Sequence, residues 1–177
     1  MRKVLNEEEY DLVVVSGDLE CLSTVRALEE ARSETLAVTG NLDDPQIADE
    51  LERLGYSIEN KVVEVGDLRF AGVSAQSIET SVNIIRKKNF DVLVSHYPPK
   101  GILDRAWSGA HIGLYEIREL LEEKRPKLAL VGHVHESRGY QFFSETLVVN
   151  PGPLRDGYYA IVIADQGRVV LKRLRAW

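Results

Sequence analysis

The sequence predicts an α/β fold in which two stacked, mixed β-sheets are flanked by helices. Two observations lead to this fold class. Short apolar runs rich in β-branched residues alternate with segments whose apolar residues recur at helical spacing, which is typical of βα units. Toward the C-terminus this alternation gives way to strand-like segments joined by tight turns, which is typical of a β meander. Because 177 residues suffice for one core, we interpret residues 1–177 as a single domain.

The N-terminal part begins with a predicted strand, helix and strand. Residues 12–16 and 35–39 are continuous apolar runs, so each predicts a buried strand. Residues 22–32 between them carry apolar side chains at helical spacing. A second helix is predicted to begin at Asp44-Pro45, because Asp is a favoured N-cap and Pro suits the first helical position. Gly55 is predicted to end it.

The middle of the chain begins with a predicted hairpin. Residues 61–65 and 68–73 are its strands, and Gly66-Asp67 is its turn. Apolar spacing then predicts two helices and two further buried strands, in the order 77–88, 91–95, 114–124 and 127–131.

The C-terminal meander is predicted to contain four short strands separated by turn signals. The strands are assigned to residues 139–143, 146–150, 158–164 and 168–174, with turns at 144–145 and 165–167. A long loop rich in Pro and Gly, residues 97–112, lies before this region.

Composition excludes several classes of function. The net charge of −6 argues against non-specific nucleic-acid binding, which needs a basic surface. No apolar run reaches the length of a membrane span, so no membrane partner is expected. Cys21 is the single cysteine, which excludes an intrachain disulfide and favours a reduced, cytoplasmic compartment. The scarcity of amide side chains and the single Met lean toward a thermophilic source.

Polar, metal-capable residues follow four of the predicted buried strands. They occur in the segments Gly17-Asp18, Gly40-Asn41, His96 and Gly132-His133-Val134-His135. Ligands in open α/β sheets gather at the carboxyl ends of strands, so we expect these side chains to converge. Imidazole and carboxylate together suit a divalent transition metal. In an extended segment the rings of His133 and His135 would point the same way and bind adjacent metals.

The ordered motifs GD, GNxD, H and GHxH resemble those of the calcineurin-like metallophosphoesterases. The stretches SHYPPKGILD, GAHIG and GHVHESRG resemble the small archaeal and bacterial predicted phosphoesterases of that family, and the resemblance spans essentially the whole chain. It implies two divalent metal ions, with manganese favoured over iron, nickel, zinc or cobalt. Asp18 would bridge the metals, Asn41, His96 and His133 would complete the shell of the second metal, and His135 would bind the first.

The resemblance also implies an activity. The expected reaction is hydrolysis of a phosphodiester or another small phosphate ester, with attack by a metal-bound hydroxide. Leu42 stands where many members carry a His that donates a proton to the leaving group, so substrates with good leaving groups are favoured. The alternative is a catalytically degenerate binding or scaffold module on the same fold.

The N-terminus departs from the family pattern. The family places an Asp-x-His motif at the end of a first strand, and no such motif precedes Asp18. Residues 1–5 resemble the middle of the helix that follows this strand, so we expect an N-terminally incomplete domain that lacks the first strand. A misplaced start or a fragment is favoured over genuine loss. Unpaired strand edges would then lead to self-association or marginal stability, and activity of the chain as written is expected to be low.

Three further residues are ambiguous. His111 lies in the long loop, within a GxHxG segment that the subgroup often shows, and proton donation or substrate contact is balanced against a plain surface role. Arg138 is balanced between a phosphate contact, which also involves Asn41, and an exposed salt bridge. For Asp43 a structural role as a helix cap is favoured over a role as a ligand.

Overall fold

The structure is a computed structural model that describes residues 1–164 and 166–174. Within these residues the α-helices are α1 (Arg2–Glu7), α2 (Leu22–Ala27), α3 (Pro45–Arg53), α4 (Ile78–Arg86) and α5 (Tyr115–Lys124). The strands are β1 (Leu12–Ser16), β2 (Glu34–Val38), β3 (Val62–Val65), β4 (Leu68–Val73), β5 (Val92–Ser95), β6 (Leu128–Leu130), β7 (Gly139–Phe143), β8 (Thr146–Asn150), β9 (Tyr158–Ile163) and β10 (Arg168–Arg173).

A mixed six-stranded sheet forms the centre of the molecule, in the strand order β3-β4-β5-β6-β8-β7. Its four inner strands are parallel to one another, and antiparallel hairpins form both edges. A second β layer consists of the parallel pair β1-β2 and the antiparallel pair β9-β10. The predicted α/β class with two stacked β layers and flanking helices is therefore confirmed.

Three apolar clusters hold the layers together. Between the two β layers, side chains such as Val38 and Val94 meet in one cluster. On the other face of the six-stranded sheet, α4 and α5 pack through Ile85 and Ile117. On the outer face of β1 and β2, α2 and α3 contribute further apolar contacts, including that of Leu51. All four residues of β5 are buried, because this strand is covered on both faces.

Most predicted elements occur within one or two residues of their expected bounds. The Asp44 side chain accepts hydrogen bonds from the backbone N–H groups of Gln46 and Ile47, which confirms it as the N-cap of α3. The predicted turn at 165–167 includes Asp165, which lies outside the described residues. Within the described ranges no helix is long and apolar enough to cross a membrane.

The helix predicted over residues 22–32 is shorter than expected. Its α-helical part ends at Ala27, and a single 3₁₀ turn, Leu28–Glu30, follows. Ala31 is already extended. Arg32 turns away to donate hydrogen bonds from its guanidinium to the carbonyls of Leu5 and Glu8. Tertiary contacts with the N-terminal segment therefore override the helical pattern.

The segment that follows α1 joins the two halves of the second β layer. The Glu8 carboxylate accepts hydrogen bonds from Tyr159 on β9 and from Lys172 on β10, each at 2.6 Å. Its main-chain carbonyl accepts from Arg32, which precedes β2. Burial, together with the neighbouring Glu8 carboxylate, raises the pKa of Tyr159 to about 12, so its hydroxyl stays protonated and donates.

An open groove lies between these halves. Within the part of the chain that the structure describes, β1 pairs only with β2 and β9 only with β10, so one edge of each strand is unpaired. Both strands line a cavity of about 1820 Å³ together with apolar side chains of the six-stranded sheet such as Phe70 and Val149. Every residue of β1 and β9 is half-buried, although nearly all are apolar or aromatic. Unpaired, apolar strand edges are templates for pairing with another chain.

We therefore expect the protein to self-associate through this groove. Sedimentation velocity at increasing protein concentration should show a rising average mass. Val14→Lys places a charge in the groove and should reduce the association. Gln46→Lys, at an exposed position of α3, adds the same charge away from any strand edge and is the matched control, and thermal melts verify that both variants fold. A wild-type protein that remains monomeric at every concentration would contradict this expectation.

Candidate metal centre

Four predicted ligands meet at the carboxyl ends of four strands. His96 follows β5, and its Nε2 atom lies 2.8 Å from Asn41 Oδ1 and 3.2 Å from His133 Nδ1. The same Nε2 atom lies 3.5 Å from Asp18 Oδ1. Asp18, Asn41 and His133 follow β1, β2 and β6, so the two β layers contribute two residues each. The expected convergence of these four side chains is present, and we call them the acceptor cluster.

The ring of His96 is fixed in one orientation. Its Nδ1 atom lies 2.9 Å from the carbonyl oxygen of Ser16, and because a carbonyl can only accept, Nδ1 carries the proton. Only 1% of His96 is exposed, and burial lowers its pKa despite the opposing effect of the Asp18 carboxylate. The neutral ring therefore directs the lone pair of Nε2 at the other three side chains. Histidines that bind metals are oriented in this way by a carbonyl or carboxylate on the second nitrogen.

The chemistry of the acceptor cluster fits a cation. The Nε2 lone pair of His96, the amide oxygen of Asn41 and the Asp18 carboxylate are all acceptors, with few protons available among them. Ligand atoms bound at right angles to a divalent metal, each at about 2.1 Å, lie about 3 Å apart. The observed separations of 2.8 Å, 3.2 Å and 3.5 Å from Nε2 are close to that spacing. One divalent ion among these four residues would satisfy the convergent lone pairs.

Asn41 is essential to this fit. Among the described residues, no group of three or more His, Cys, Asp or Glu side chains is by itself arranged to hold a metal ion. Any ion held at this position would therefore need a further ligand, and the amide oxygen of Asn41, which makes the shortest contact with His96, is placed to supply it.

Tight backbone turns bring the cluster together. Asp18 and His133 adopt left-handed conformations with φ of 54° and 64°, which non-glycine residues rarely adopt. A Cβ atom on Gly17 would lie 2.5 Å from His96 Nδ1, and one on Gly40 would collide with the Asp18 carboxylate. Glycine is required at both positions, because the strand ends approach each other too closely for any side chain.

The segment around His133 and His135 is not extended, so the prediction that both rings point the same way from a strand is wrong. His133 is left-handed, and His135 opens a single 3₁₀ turn, His135–Ser137. The physical reason is local hydrogen bonding. The N–H of Val134 donates to the carbonyl of Gly132, and the buried Asn150 amide donates to the carbonyl of Val134 at 2.8 Å. These bonds fold the motif into a tight loop.

His135 lines the same cavity as the acceptor cluster but faces a different neighbour. Its Nδ1 atom lies 3.3 Å from Nη2 of Arg155. Because a guanidinium can only donate, Nδ1 is the acceptor in this contact. The role of His135 as a ligand of a second metal remains a prediction.

Leu42 and Asp43, which follow Asn41, support the cluster by hydrogen bonds that involve backbone N–H groups. The N–H of Leu42 donates to Asp18 Oδ1 at 3.1 Å, while its side chain is 55% exposed and offers no proton. The buried Asp43 carboxylate accepts from the N–H groups of Glu20 at 2.7 Å and Gly40 at 2.8 Å. Asp43 therefore joins the two loops that follow β1 and β2. This structural role replaces the predicted helix cap, which Asp44 provides.

His111 belongs to a separate pair in the 97–112 loop. Its Nδ1 atom lies 2.6 Å from Oδ1 of Asp104, and 52% of its side chain is exposed. Asp104 is 1% exposed and also accepts from the N–H groups of Gly101 and Gly113. Burial works against ionisation, but these hydrogen bonds outweigh it and lower the pKa of Asp104. His111 is not among the described residues that line the cavity of the acceptor cluster.

Arg138 is engaged in main-chain contacts. Its Nε donates to the carbonyl of Pro151 at 3.0 Å, and Nη2 donates to the carbonyl of Lys172 at 3.2 Å. The guanidinium also lies 4.5 Å from the centre of the Tyr158 ring. Neither a phosphate contact nor an exposed salt bridge describes these interactions. Arg138 instead ties the loop after β8 to β9 and β10.

Sequence reasoning missed Asn150 and Arg155. Asn150 ends the apolar strand β8, so the same rule that selected the other strand ends could have found it. Arg155 lies on a single 3₁₀ turn, Leu154–Asp156, and no motif marks it. Only the tertiary structure brings it to His135.

Comparison with known protein families identifies the class to which this α/β sandwich belongs. Residues 1–163 match the calcineurin-like phosphoesterase superfamily domain, so the chain belongs to that superfamily. An uncharacterized protein of Methanocaldococcus jannaschii is 27% identical over 172 aligned positions, which cover 81% of this chain and 78% of that protein.

Solved structures share the fold at low sequence identity. The protein TT1561 of Thermus thermophilus gives a TM-score of 0.74 at 17% identity, over 98% of this chain and 91% of that one. A structure described as a novel archaeal phosphodiesterase gives 0.63 at 18% identity, over 97% and 88%. Vps29 of Entamoeba histolytica, in complex with zinc, gives 0.53 at 14% identity, over 97% and 86%.

The different surroundings of the two histidines predict different effects on metal binding. His133→Ala removes a member of the acceptor cluster, so manganese affinity should fall by about 10-fold or more. His135→Ala should have a smaller effect, because His135 contacts Arg155 instead. Calorimetric titration of manganese into both variants and the wild-type protein is the measurement. Equal losses in the two variants would show that the rings share one ion.

The contacts of Arg138 predict a structural effect. Arg138→Gln removes two hydrogen bonds to carbonyls and the contact with Tyr158, so the unfolding free energy should fall by about 1–3 kcal/mol. Urea denaturation measures this change. Manganese affinity should be unaltered, and a stable Arg138→Gln protein with weakened phosphate binding would restore the phosphate-contact interpretation.

Proposed function

We propose that the protein is a metal-dependent phosphoesterase whose substrates are phosphodiesters or other small phosphorylated molecules. The observation that carries this proposal is the acceptor cluster, in which three side chains surround Nε2 of His96 at 2.8–3.5 Å. Membership of the calcineurin-like phosphoesterase superfamily supports it. The preference for diesters rests on the similarity in fold to an archaeal phosphodiesterase.

Asp18, Asn41, His96 and His133 would hold one divalent ion, and Asp18 with His135 would hold a second. Manganese is the favoured ion, since the set combines imidazole with carboxylate and amide oxygens. When bound, such ions neutralise charge on phosphate oxygens and make water acidic enough to ionise near neutral pH.

Neighbouring residues hold the side chains of the acceptor cluster in position. Ser16 fixes the ring of His96, and the N–H of Leu42 holds the Asp18 carboxylate in place. His111 is a candidate for proton donation from its sequence motif, but it is not among the described residues that line the cavity of the acceptor cluster, so no proton-donor role is proposed for it. Because Leu42 cannot donate a proton, substrates with acidic leaving groups should react best.

Turnover by residues 1–177 is expected to be slow. Only Asp18 and His135 among the proposed ligands serve the second ion, so its shell is sparse. A second candidate function, a binding module without catalysis on the same fold, follows from this sparse shell and from Leu42. Both functions require metal binding, but only the phosphoesterase hydrolyses a substrate. An activity assay therefore distinguishes them.

Manganese titration and a diesterase assay test the proposal together. The chelator-treated protein should bind manganese in calorimetry and then slowly hydrolyse a nitrophenyl phosphodiester. His96→Gln should lower kcat/KM by about 100-fold or more, since even outer-shell changes at metal sites cost 10–100-fold. Gln141→Ala, an exposed change on β7, is the control and should leave both readouts unchanged.

Two results would contradict the proposal in different ways. If the protein binds manganese through His96 and hydrolyses no phosphate ester, the binding module is the correct function. If neither manganese nor zinc binds, the acceptor cluster is not a metal site.

A further inference from the structure

We propose that Arg155 binds the phosphoryl oxygens of the substrate beside the candidate metal centre, and that Glu20 holds its guanidinium until the anion replaces it. This inference deepens the proposed function and rests on it, because it names a residue that would recognise the same phosphate group. No sequence motif points to Arg155, so the proposal depends on its position in the folded chain.

Arg155 reaches the cavity from the loop after β8. Its Nη2 atom lies 3.3 Å from Nδ1 of His135, and its Nη1 atom lies 2.9 Å from Oε1 of Glu20. Glu20 follows Asp18 by two residues, so the guanidinium lies across the side of the cavity where the loops after β1 and β6 face each other. The Arg155 side chain is 55% exposed and therefore accessible to a ligand.

A rigid framework fixes the loop that carries Arg155. Asn150 is 1% exposed, donates to the carbonyl of Val134 and accepts from the N–H of Gly152 at 3.0 Å. The N–H of Tyr158 donates to the carbonyl of Pro153, which closes the turn on its other side. Since Asn150 joins this loop directly to the loop of His133 and His135, Arg155 has a defined position relative to the histidines.

The charges around the cavity favour a role in anion binding. Asp18 and Glu20 line this side of the cavity and supply carboxylates there. A phosphate group entering here would meet negative charge unless cations are present. Arg155 supplies a permanent positive charge at this side of the cavity.

The present partners of Arg155 are easily exchanged. The pair with Glu20 is exposed on both sides, and exposed ion pairs are weak because water and salt screen them. A guanidinium presents parallel N–H groups that match two oxygens of one phosphate, which is a stronger and more specific contact. Arg138 differs in this respect, because its N–H groups donate to main-chain carbonyls that cannot move away. Of these two arginines, Arg155 is thus the one whose partners can be exchanged.

A purely structural role for Arg155 is the competing explanation. In that case the guanidinium would simply tie the loop to Glu20, and removing either partner would have the same effect. The proposal instead predicts opposite effects, because Glu20 competes with the anion for Arg155. This difference in sign allows a decisive test.

The test measures binding of inorganic phosphate to the manganese-loaded protein by calorimetry. Arg155→Gln should weaken phosphate binding by about 10-fold, the value of one charge-assisted contact. Glu20→Gln should tighten it by about 3-fold, because the competitor is neutralised. The double variant should bind phosphate as weakly as Arg155→Gln alone, because without the guanidinium Glu20 has no competing partner to hold.

Two controls accompany these variants. Arg53→Gln removes another exposed arginine–glutamate ion pair, on α3, and should leave phosphate binding unchanged. Manganese affinity and the thermal melt should change little in Arg155→Gln, which separates a loss of anion binding from a damaged metal site or fold.

The outcomes separate this proposal from the proposed function. If Arg155→Gln binds phosphate like the wild-type protein, or if Glu20→Gln weakens binding, the role of Arg155 is wrong even when the enzyme hydrolyses diesters. If phosphate binding depends on Arg155 and no ester is hydrolysed, the role of Arg155 is supported and the proposed phosphoesterase function is wrong. If the manganese-loaded wild-type protein binds no phosphate, the anion site itself is overturned.

Discussion

The hydrogen bond from Nδ1 of His96 to the carbonyl of Ser16 is the contact on which the site depends. It connects the end of β5, in the six-stranded sheet, with the end of β1, in the second β layer. By fixing the proton on Nδ1 it leaves the Nε2 lone pair directed at Asn41, Asp18 and His133. The cluster can therefore form only when the two β layers stack, because neither layer alone supplies the four side chains.

This constraint explains why unfavourable features concentrate at the strand ends. Left-handed backbone at a non-glycine residue costs about 1–3 kcal/mol, and Asp18 and His133 both have it. A buried neutral imidazole and a set of facing acceptors are also unfavourable unless a cation joins them. The apolar contacts between the β layers offset these costs in the folded protein. A bound divalent ion would offset them further, since anything that binds only the folded state stabilises it.

The sequence predicts the strands and the residues at their ends, because both signals are local. An apolar run such as residues 91–95 identifies a buried strand, and the polar residue after it, here His96, must lie at the carboxyl edge of the sheet. The turn around His135 and the contacts of Arg155 could not be predicted in this way. They depend on Asn150 and Glu20, which are distant along the chain and meet only after the layers pack.

The acidity of the chain constrains which phosphate compounds this site can favour. A net charge of −6 repels anions at long range, but physiological salt screens charges beyond about 8 Å. Cations within a few ångströms of the ligand therefore decide binding, and here these are the proposed metal ions and Arg155. A small ester places its one phosphate among these cations and exposes little further charge to the acidic surface. A polyanion such as nucleic acid would extend its other phosphates over a surface whose net charge is negative. If these proposed cations bind a small phosphate ester, we therefore expect the acidic surface to disfavour larger polyanions.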